Sequence, residues 1–468
     1  MGSSPRKKIE KRAFGRAFLF AMAIGVSLLA SNPSAAGNTE PDAAQTAAYE
    51  KATEGVRVRL LIALAKQGQH ELADTLLQRY PLTGEYAKDR ELYIEGLILR
   101  GRKDNKGAVA KFRAALADDP KLTLVRSDLA QTLVEMGEDD SAKHHLQLLE
   151  AEAPNEQVAS NIRAFIDRID ANRPYRFSAY MSLAPSTNVN NGSSHSTTKV
   201  YNIFADEMLD GDISKQNRKK SGLGSEVGFN AAYSKRLGEH LMAIVAGGAN
   251  ARLYTDKDFD SFALSQFAEL RYYDDRSSIG LGVVASQDLK QDWSGMSYYS
   301  FGPRIGTSVR ITQRDTLAET VRYEERKYPD AKPINGWAVF TDLSWTHAFD
   351  SSFNSTASVG YNRIKSKFDP YSYRTWYAGM GFYKELPHGI TVNLDTQAQR
   401  SEFDAYNVLG QAFRKDTRLI GSLGLVKRDW NIYGFAPSVE FTLVKNFSNL
   451  KVYDYDSESV DFRLTKDF

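Results

Sequence analysis

Residues 159–190 read ASNIRAFIDRIDANRPYRFSAYMSLAPSTNVN, and the pattern of the chain changes within this stretch, at Pro174. Before Pro174, apolar residues recur at helical spacing, and after it apolar and polar residues alternate as far as Phe468. The sequence therefore predicts two folds in one chain. A helical domain is expected at residues 51–173, and a domain of β-strands at residues 174–468.

The helical domain carries a repeat of 34 residues. Ala108, Phe112 and Pro120 recur at the equivalent positions as Ala142, Leu146 and Pro154. This spacing resembles the tetratricopeptide repeat, in which two helices approach at small residues and a proline ends the second helix. With a more degenerate unit before these repeats and a capping helix at 159–169, the domain is predicted to be a tetratricopeptide α-solenoid.

Tetratricopeptide stacks have a concave groove lined by the first helix of each repeat. An exposed mixture of arginine, tyrosine and amide side chains suits an extended peptide, although a solvated face without a ligand is the alternative. The resemblance places these residues in the groove: Arg90, Tyr93, Leu97, Arg100, Ser127, Gln131 and Val134. His144 and His145 are expected on the surface, because no residues at metal-ligand spacing accompany them.

The strand domain shows period-two alternation, which directs successive side chains to opposite faces of a sheet. Ile390, Val392 and Leu394 alternate with Asn393 and Asp395, so one face is apolar and the other is polar. We expect fourteen antiparallel strands that close into a transmembrane β-barrel with a hydrated lumen; twelve or sixteen strands remain open. The predicted strands begin near Tyr175, Gly222, Leu241, Phe262, Ile279, Tyr298, Thr316, Gly336, Phe353, Tyr373, Ile390, Ala412, Asn431 and Glu458.

The predicted connections alternate in length. Short ones are expected at residues 237–239, 274–276, 313–315, 350–352, 387–389 and 428–430, and longer ones between them, such as 402–411 and the longest, 191–221. Short turns on one side and long loops on the other are typical of outer-membrane barrels. An even strand number then places the helical repeats with the short turns, in the periplasm. A soluble β-sandwich of this length would need two domains and would not produce paired short turns. A β-propeller would show self-similarity at about 45 residues, which the sequence lacks.

The N-terminus is predicted to be a secretory signal peptide at residues 1–36, with a basic stretch, an apolar stretch and a small-residue cleavage site. A short linker, 37–50, follows it. Removal of the signal takes away six basic residues and Glu10, which changes the formal net charge from +2 to −3 and argues against a nucleic-acid partner. The chain has no cysteine, so it has no disulfide and no lipid-attachment site.

No catalytic constellation is evident in the sequence. No nucleophile-elbow motif follows a strand, and the seven histidines are scattered. Asp256, Asp258 and Asp260 lack the glycine and the downstream glutamate of a calcium loop. The chain is therefore not expected to be an enzyme or to carry a cofactor or metal.

The first predicted strand ends in the sequence SLAPSTNVN, residues 182–190, with Pro185, Asn188 and Asn190 at characteristic positions. A small-Pro-x-x-Asn-x-Asn ending after tetratricopeptide repeats resembles the surface lipoprotein assembly modulator (Slam) family, and the resemblance covers residues 50–468. It implies an outer-membrane translocator that brings a client lipoprotein, or a secreted ligand-binding protein, to the cell surface. The implied partners are that client, the barrel-assembly machinery, periplasmic chaperones and outer-membrane lipid.

The last strand, with Phe462, Leu464 and Phe468 on one face, resembles the C-terminal assembly signal of bacterial outer-membrane barrels. Two other functions stay open. A polysaccharide exporter also joins helical repeats to a barrel, usually with more repeats, and a passive outer-membrane channel would not need a peptide-binding adaptor.

Overall fold

A computed structural model of the chain describes residues 43–84, 86–172, 174–290, 294–408, 410–427, 430 and 435–465. The predicted signal peptide and the terminal Phe468 lie outside these described residues. Within them, eight helices precede sixteen strands. The chain forms two compact units that divide between Ala108 and Val109.

The first unit is helical, and its elements are α1 (Ala43–Lys51), α2 (Glu54–Lys66), α3 (His70–Arg79), α4 (Ala87–Gly101) and the start of α5 (Asn105–Asp118). Leu61 of α2 and Ala73 of α3 are fully buried. Gly68 connects these two helices in the left-handed region, at φ +86°, where glycine avoids the Cβ clash. The degenerate first repeat thus forms the predicted helix pair.

The second unit begins with the rest of α5, which is followed by α6 (Thr123–Met136), α7 (Asp139–Ala151) and α8 (Glu156–Asn172). The small repeat residues Ala130 and Ala142 are fully buried, as the tetratricopeptide spacing requires. Gly137 ends α6 at φ +82°, a left-handed C-terminal cap. Helix α8 ends at Asn172, and the first strand begins at Tyr175.

Fourteen antiparallel strands of the second unit close into a barrel, in the order β1, β16, β15 and so on down to β4. The strands are β1 (Tyr175–Ser186), β2 (Thr197–Asn202), β3 (Glu207–Asp212), β4 (Gly222–Arg236), β5 (Leu241–Tyr254), β6 (Ser261–Tyr273), β7 (Ser277–Leu289), β8 (Met296–Arg310), β9 (Asp315–Lys327), β10 (Gly336–Asp350), β11 (Phe353–Ser366), β12 (Tyr373–Leu386), β13 (Ile390–Asn407), β14 (Ala412–Lys427), β15 (Ala436–Ser448) and β16 (Tyr455–Thr465). The predicted barrel of fourteen strands is confirmed. Strands β2 and β3 were not predicted from the sequence; they form a separate hairpin within the longest loop.

Alternation along the strands separates an apolar outer face from a polar inner face. On β1, Phe177 and Met181 are 65% and 68% exposed on the outer face, whereas Ser182, on the inner face, is 2% exposed. On β13, Leu394 lies on the outer face and Asn393 and Asp395 on the inner face. A band of exposed apolar side chains around a closed sheet is the surface that a lipid environment requires.

Five of the six connections at one rim of the barrel are short, and we call it the short-turn rim: residues 237–240, 274–276, 311–314, 351–352 and 387–389. The sixth joins β14 to β15; the short turn predicted at 428–430 and the strand start predicted near Asn431 lie mostly outside the described residues, and β15 is described from Ala436. The opposite, long-loop rim carries 187–221, 255–260, 290–295, 328–335, 367–372 and 449–454. The connection predicted at 402–411 is shorter, 408–411, because β13 continues to Asn407. Helices α6–α8 lie at the short-turn rim, as the predicted sidedness requires.

Candidate functional site

A buried ion pair joins the helices of the second unit to the barrel. Arg126 of α6 and Glu385 of β12 both have fully buried side chains, and Arg126 Nη2 lies 2.6 Å from Glu385 Oε2. Arg126 Nη2 also donates to the carbonyl of Pro120, and Nη1 lies 3.1 Å from His145 Nδ1. A guanidinium with this many partners is compensated for the loss of water, which an isolated buried charge would not be.

Two histidines and a tyrosine complete this junction. The Tyr383 hydroxyl donates to Glu385 Oε1 at 2.9 Å, and His144 Nε2 lies 2.9 Å from the same hydroxyl. Burial lowers the pKa of His145 well below its ordinary value, and the nearby charge of Arg126 acts in the same direction. His145 is therefore neutral at pH 7. The expectation that His145 is a surface residue is wrong, because it is 5% exposed.

The neighbouring short turns are also held by the helices. Lys121 Nζ lies 2.7 Å from Asp350 Oδ2, and this hydrogen bond raises the pKa of Lys121. The backbone N–H of Ser351 donates to Glu152 Oε1 at 2.8 Å. Arg310, at the end of β8, lies 2.9 Å from the carboxylate of Glu150. The helices thus contact three successive turns on this side of the barrel and form an extended interface with it. Arg126 and Glu385 are the most buried residues of this interface.

The predicted groove residues differ in exposure. Tyr93 and Leu97 are each 5% exposed, because they belong to the buried stripe of α4 together with Ile94 and Ile98. Their assignment to an exposed groove is therefore corrected. Arg90 is partly exposed and pairs with Glu54 at 2.6 Å.

The other four groove residues keep some exposure. Arg100, Ser127 and Val134 are half-buried, and Gln131 is exposed. The candidates with some exposure are thus Arg90 and Arg100 on α4, and Ser127, Gln131 and Val134 on α6.

The barrel lumen contains paired charges. Glu226 lies 2.6 Å from Arg252, and Ser300 donates to Glu324 at 2.6 Å. Glu269 pairs with Arg304. A cavity of about 570 Å³ opens on this inner face, and its lining includes Arg176, Ser178, Asn230, Ser265, Arg304 and Arg322. The arginine, serine and asparagine side chains of this lining can hydrogen-bond to water.

The Asn188 and Asn190 motif lies at the long-loop rim, one strand beyond Pro174. Asn188 is 3% exposed; its Nδ2 donates to the carbonyls of Gly192 and Asp456 at 2.9 and 2.8 Å. Asn190 Nδ2 donates to the carbonyl of Arg218 at 2.9 Å, and its Oδ1 accepts from the backbone of Lys220 at 3.0 Å. The two asparagines thus fold the longest loop back on itself and fasten it to β16. The sequence did not reveal that these asparagines hold the loop by hydrogen bonds, because one acceptor, the carbonyl of Asp456, is 268 residues from Asn188.

Phe462 and Leu464 of the proposed assembly signal are 55% and 49% exposed on the outer face of β16. Phe468 lies outside the described residues, so the role of these side chains in assembly stays a prediction. Among the described residues, no cluster of histidine, cysteine or acidic side chains could hold a metal ion. No helix within the described ranges is long and apolar enough to span a membrane.

A closed antiparallel barrel with an apolar outer band, a polar lumen and one rim of short turns defines the class of outer-membrane β-barrel proteins. Residues 175–468 match the surface lipoprotein assembly modifier family, and residues 99–164 match the tetratricopeptide repeat. The chain belongs to the family of surface lipoprotein assembly modifiers, which confirms the resemblance found in its sequence. It is an outer-membrane protein, with its helical repeats on the periplasmic side.

Two relatives show how far the similarity extends. Surface lipoprotein assembly modifier 1 of Haemophilus influenzae is 22% identical over 88% of this chain and 84% of its own length. A surface lipoprotein assembly modifier of Pasteurella multocida is 20% identical over 88% of this chain and 82% of its own length. Among solved structures, a FadL homologue of Pseudomonas aeruginosa aligns with 67% of this chain and 94% of its own, at 13% identity and a TM-score of 0.37.

Proposed function

We propose that this chain delivers a client lipoprotein, or a secreted ligand-binding protein, from the periplasm to the cell surface. One observation carries the proposal. Tetratricopeptide helices are fastened through the buried Arg126–Glu385 pair to the periplasmic rim of a barrel whose lumen is polar. A passive channel has no use for an adaptor held at its mouth, whereas a translocator must hold its client there. The names of its relatives describe surface lipoprotein assembly, which agrees with this function.

In this proposal the helical repeats at 51–173 form a periplasmic domain, behind a signal peptide at 1–36 and a linker at 37–50. Two exposed surfaces would contact the client: Arg90 and Arg100 on α4, and Ser127 and Gln131 on α6. Arginine and amide groups donate hydrogen bonds to the backbone and to acidic side chains of an extended peptide. Tyr93 and Leu97 would support the first surface from within.

The barrel at 174–468 would provide the route. An extended polypeptide carries polar backbone groups that lipid cannot satisfy, so a hydrated lumen lowers the free energy of its passage. Charges such as Glu226 and Glu269 are already paired with arginines of the wall. Because these charges are already paired, the lumen wall would leave the client hydrated without binding it tightly. We propose that the barrel-assembly machinery and periplasmic chaperones act beside the chain, and we propose no catalysis.

The test is deletion of the gene, followed by biotin labelling of intact cells and quantification of every lipoprotein at the surface. We expect at least one lipoprotein or secreted protein to lose surface labelling while its total amount is unchanged, and expression of the wild-type chain to restore it. A variant with Glu385→Ala should restore less than wild type, and Glu71→Ala, which removes a solvent-exposed carboxylate of α3, should restore fully. Unchanged labelling together with loss of surface polysaccharide would replace this proposal with polysaccharide export.

A further inference from the structure

Near the long-loop rim, the outer face of β11–β14 carries a row of charged side chains. The strand register places four of them side by side on adjacent strands: Arg363, Arg374, Glu402 and Lys415. Arg374 lies on the same face of β12 as the exposed Trp376 and Met380, so the row faces outward. Neighbouring strands lie about 4.8 Å apart, so the row spans about 14 Å. Three cations and one carboxylate are therefore close enough to contact a single ligand.

The next outward row toward the middle of the barrel wall is aromatic. It places Tyr361, Trp376 and Arg400 side by side on β11, β12 and β13. The ring centroids of Tyr361 and Trp376 lie 5.7 Å apart, and Trp376 is 43% exposed. The guanidinium carbon of Arg374 lies 5.1 Å from the centre of the Trp376 ring. Exposed aromatic side chains of a barrel mark the interface between lipid headgroups and acyl chains.

Below the aromatic row the surface is apolar. The register continues with Val359, Ala378, Ala398 and Leu419. Val359 and Leu419 are prominently exposed, as acyl chains of a membrane require. Successive outward residues of a strand lie about 7 Å apart, so the charged row lies one step above the aromatic row, at the level of lipid headgroups. The helical repeats lie at the other rim, in the periplasm, so these headgroups belong to the outer leaflet.

The charged side chains around this row, which we call the basic patch, have an excess of positive charge. Its five cations are Arg363, Lys365, Arg374, Arg400 and Lys415, and its three carboxylates are Asp369, Glu402 and Asp404. Five positive and three negative charges give the patch a formal net charge of +2. Arg374 lies 2.9 Å from Glu402, and Lys365 lies 2.6 Å from Asp369. Arg400 and Lys415 are both exposed, and Arg400 Nη1 donates to a neutral group, the hydroxyl of Thr417, at 2.7 Å.

The patch is local to this side of the barrel. On β4–β7, outward positions near the same rim carry apolar side chains: Leu223, Leu253, Phe262 and Leu289. A general need for charge at the long-loop rim would not leave that side uncharged. The excess of cations above the aromatic row of β11–β14 therefore calls for a local partner with negative charge.

We propose that the basic patch binds the phosphate groups of an acylated lipid in the outer leaflet of the membrane. Phosphate accepts paired hydrogen bonds from a planar guanidinium, and a lysine adds a compact positive charge. The aromatic and apolar rows below the patch would contact the same molecule at its headgroup boundary and along its acyl chains. A free phosphate ion would meet the cations alone, so the continuity of the three rows favours a lipid. The inference depends neither on the client nor on what occupies the lumen.

The test measures binding of lipid A, a phosphorylated and acylated disaccharide, to the purified full chain in a neutral detergent by native mass spectrometry. Dephosphorylated lipid A and inorganic phosphate are the comparison probes. Arg400→Gln with Lys415→Gln removes two exposed cations and leaves the ion pairs of Arg363 and Arg374 in place. Lys327→Gln is the matched control, because Lys327 is an outward-facing lysine of β9, 44% exposed and outside the patch.

We expect the double variant to weaken lipid A binding by about thirtyfold, from the usual contribution of a cation at an anionic lipid surface. The control should bind as wild type does, and dephosphorylated lipid A should bind wild type much more weakly than lipid A. Equal affinity of wild type and the double variant for lipid A would overturn the inference. Displacement of lipid A by millimolar inorganic phosphate would overturn the assignment to a lipid and show a site for free anions.

A second variant should change the affinity in the opposite direction. Glu402 lies 2.9 Å from Arg374 and competes with phosphate for its guanidinium. Glu402→Gln releases Arg374 and raises the net charge of the patch, so lipid A should bind several-fold more tightly. Damage to the fold would not increase affinity, so this variant separates ligand binding from stability. Unchanged or weaker binding in a Glu402→Gln barrel that stays heat-modifiable would contradict the inference.

Discussion

Breaking the buried pair between Arg126 and Glu385 should loosen the helices from the barrel. Both side chains are fully buried and their charged atoms lie 2.6 Å apart. Glu385→Ala leaves the guanidinium buried without its carboxylate, which typically destabilises by about 3–5 kcal/mol. With a urea dependence of about 2 kcal/mol per molar, a loss of about 4 kcal/mol lowers the unfolding midpoint by about 2 M.

The assay is urea unfolding of the purified, detergent-solubilised protein, followed by helical circular dichroism at a denaturant range in which the barrel stays folded. Glu71→Ala is the matched control. Glu71 makes a 2.7 Å ion pair with Arg102, but its side chain is 58% exposed, so its loss should cost less than about 1 kcal/mol.

The double variant Arg126→Met with Glu385→Leu separates burial of an unpaired charge from loss of the pair. It removes both charges, so it should recover most of the stability that either single change loses. A single-variant midpoint within about 0.5 M of wild type would refute the reasoning, since the expected shift is about 2 M. A double variant as unstable as the single ones would refute it equally.

Acid should lower the free energy of unfolding of the helices. In the unfolded protein His145 binds a proton near pH 6.5, whereas in the folded protein its lowered pKa keeps it neutral. The urea midpoint should therefore fall as pH decreases from 7.5 to about 5.5, and His145→Gln should reduce this fall; an unchanged pH dependence would contradict it. Asn188→Ala removes the hydrogen bonds that fasten the longest loop, so protease should cleave that loop faster in intact cells while the barrel stays heat-modifiable; cleavage at the wild-type rate would contradict the fastening role. Arg90→Ala with Arg100→Ala should lower crosslinking of the helical domain to its client without loss of helical circular dichroism; a loss of helicity would show that the arginines are structural.

The strands were predictable because a lipid-facing sheet imposes a strict two-residue period on its sequence. Fourteen strands were expected and fourteen form the barrel. The hairpin of β2 and β3 was missed for the opposite reason. Both faces of β3 are largely exposed. Because neither face is buried, its sequence shows no alternation of apolar and polar residues.

The site was harder to predict, because its contacts join distant parts of the chain. The repeat pattern located α4, but it did not reveal that Tyr93 and Leu97 lie on its buried stripe. His145 follows His144 on a polar helix, and nothing nearby indicates burial. Its surroundings depend on Arg126, whose carboxylate partner, Glu385, is 259 residues further along the chain.

The central claim is that client polypeptide passes through the lumen. It is tested most directly by two variants that each carry a photoreactive amino acid, at one or the other of two adjacent positions on β13. Gln397 lies on the inner face and Thr396 on the outer face of the same strand. In living cells, the probe at Gln397 should crosslink to lipoproteins that depend on the gene for surface display, and the probe at Thr396 should not crosslink to their polypeptide. Absence of lipoprotein crosslinks at Gln397, in a chain that still supports surface display, would contradict passage through the lumen.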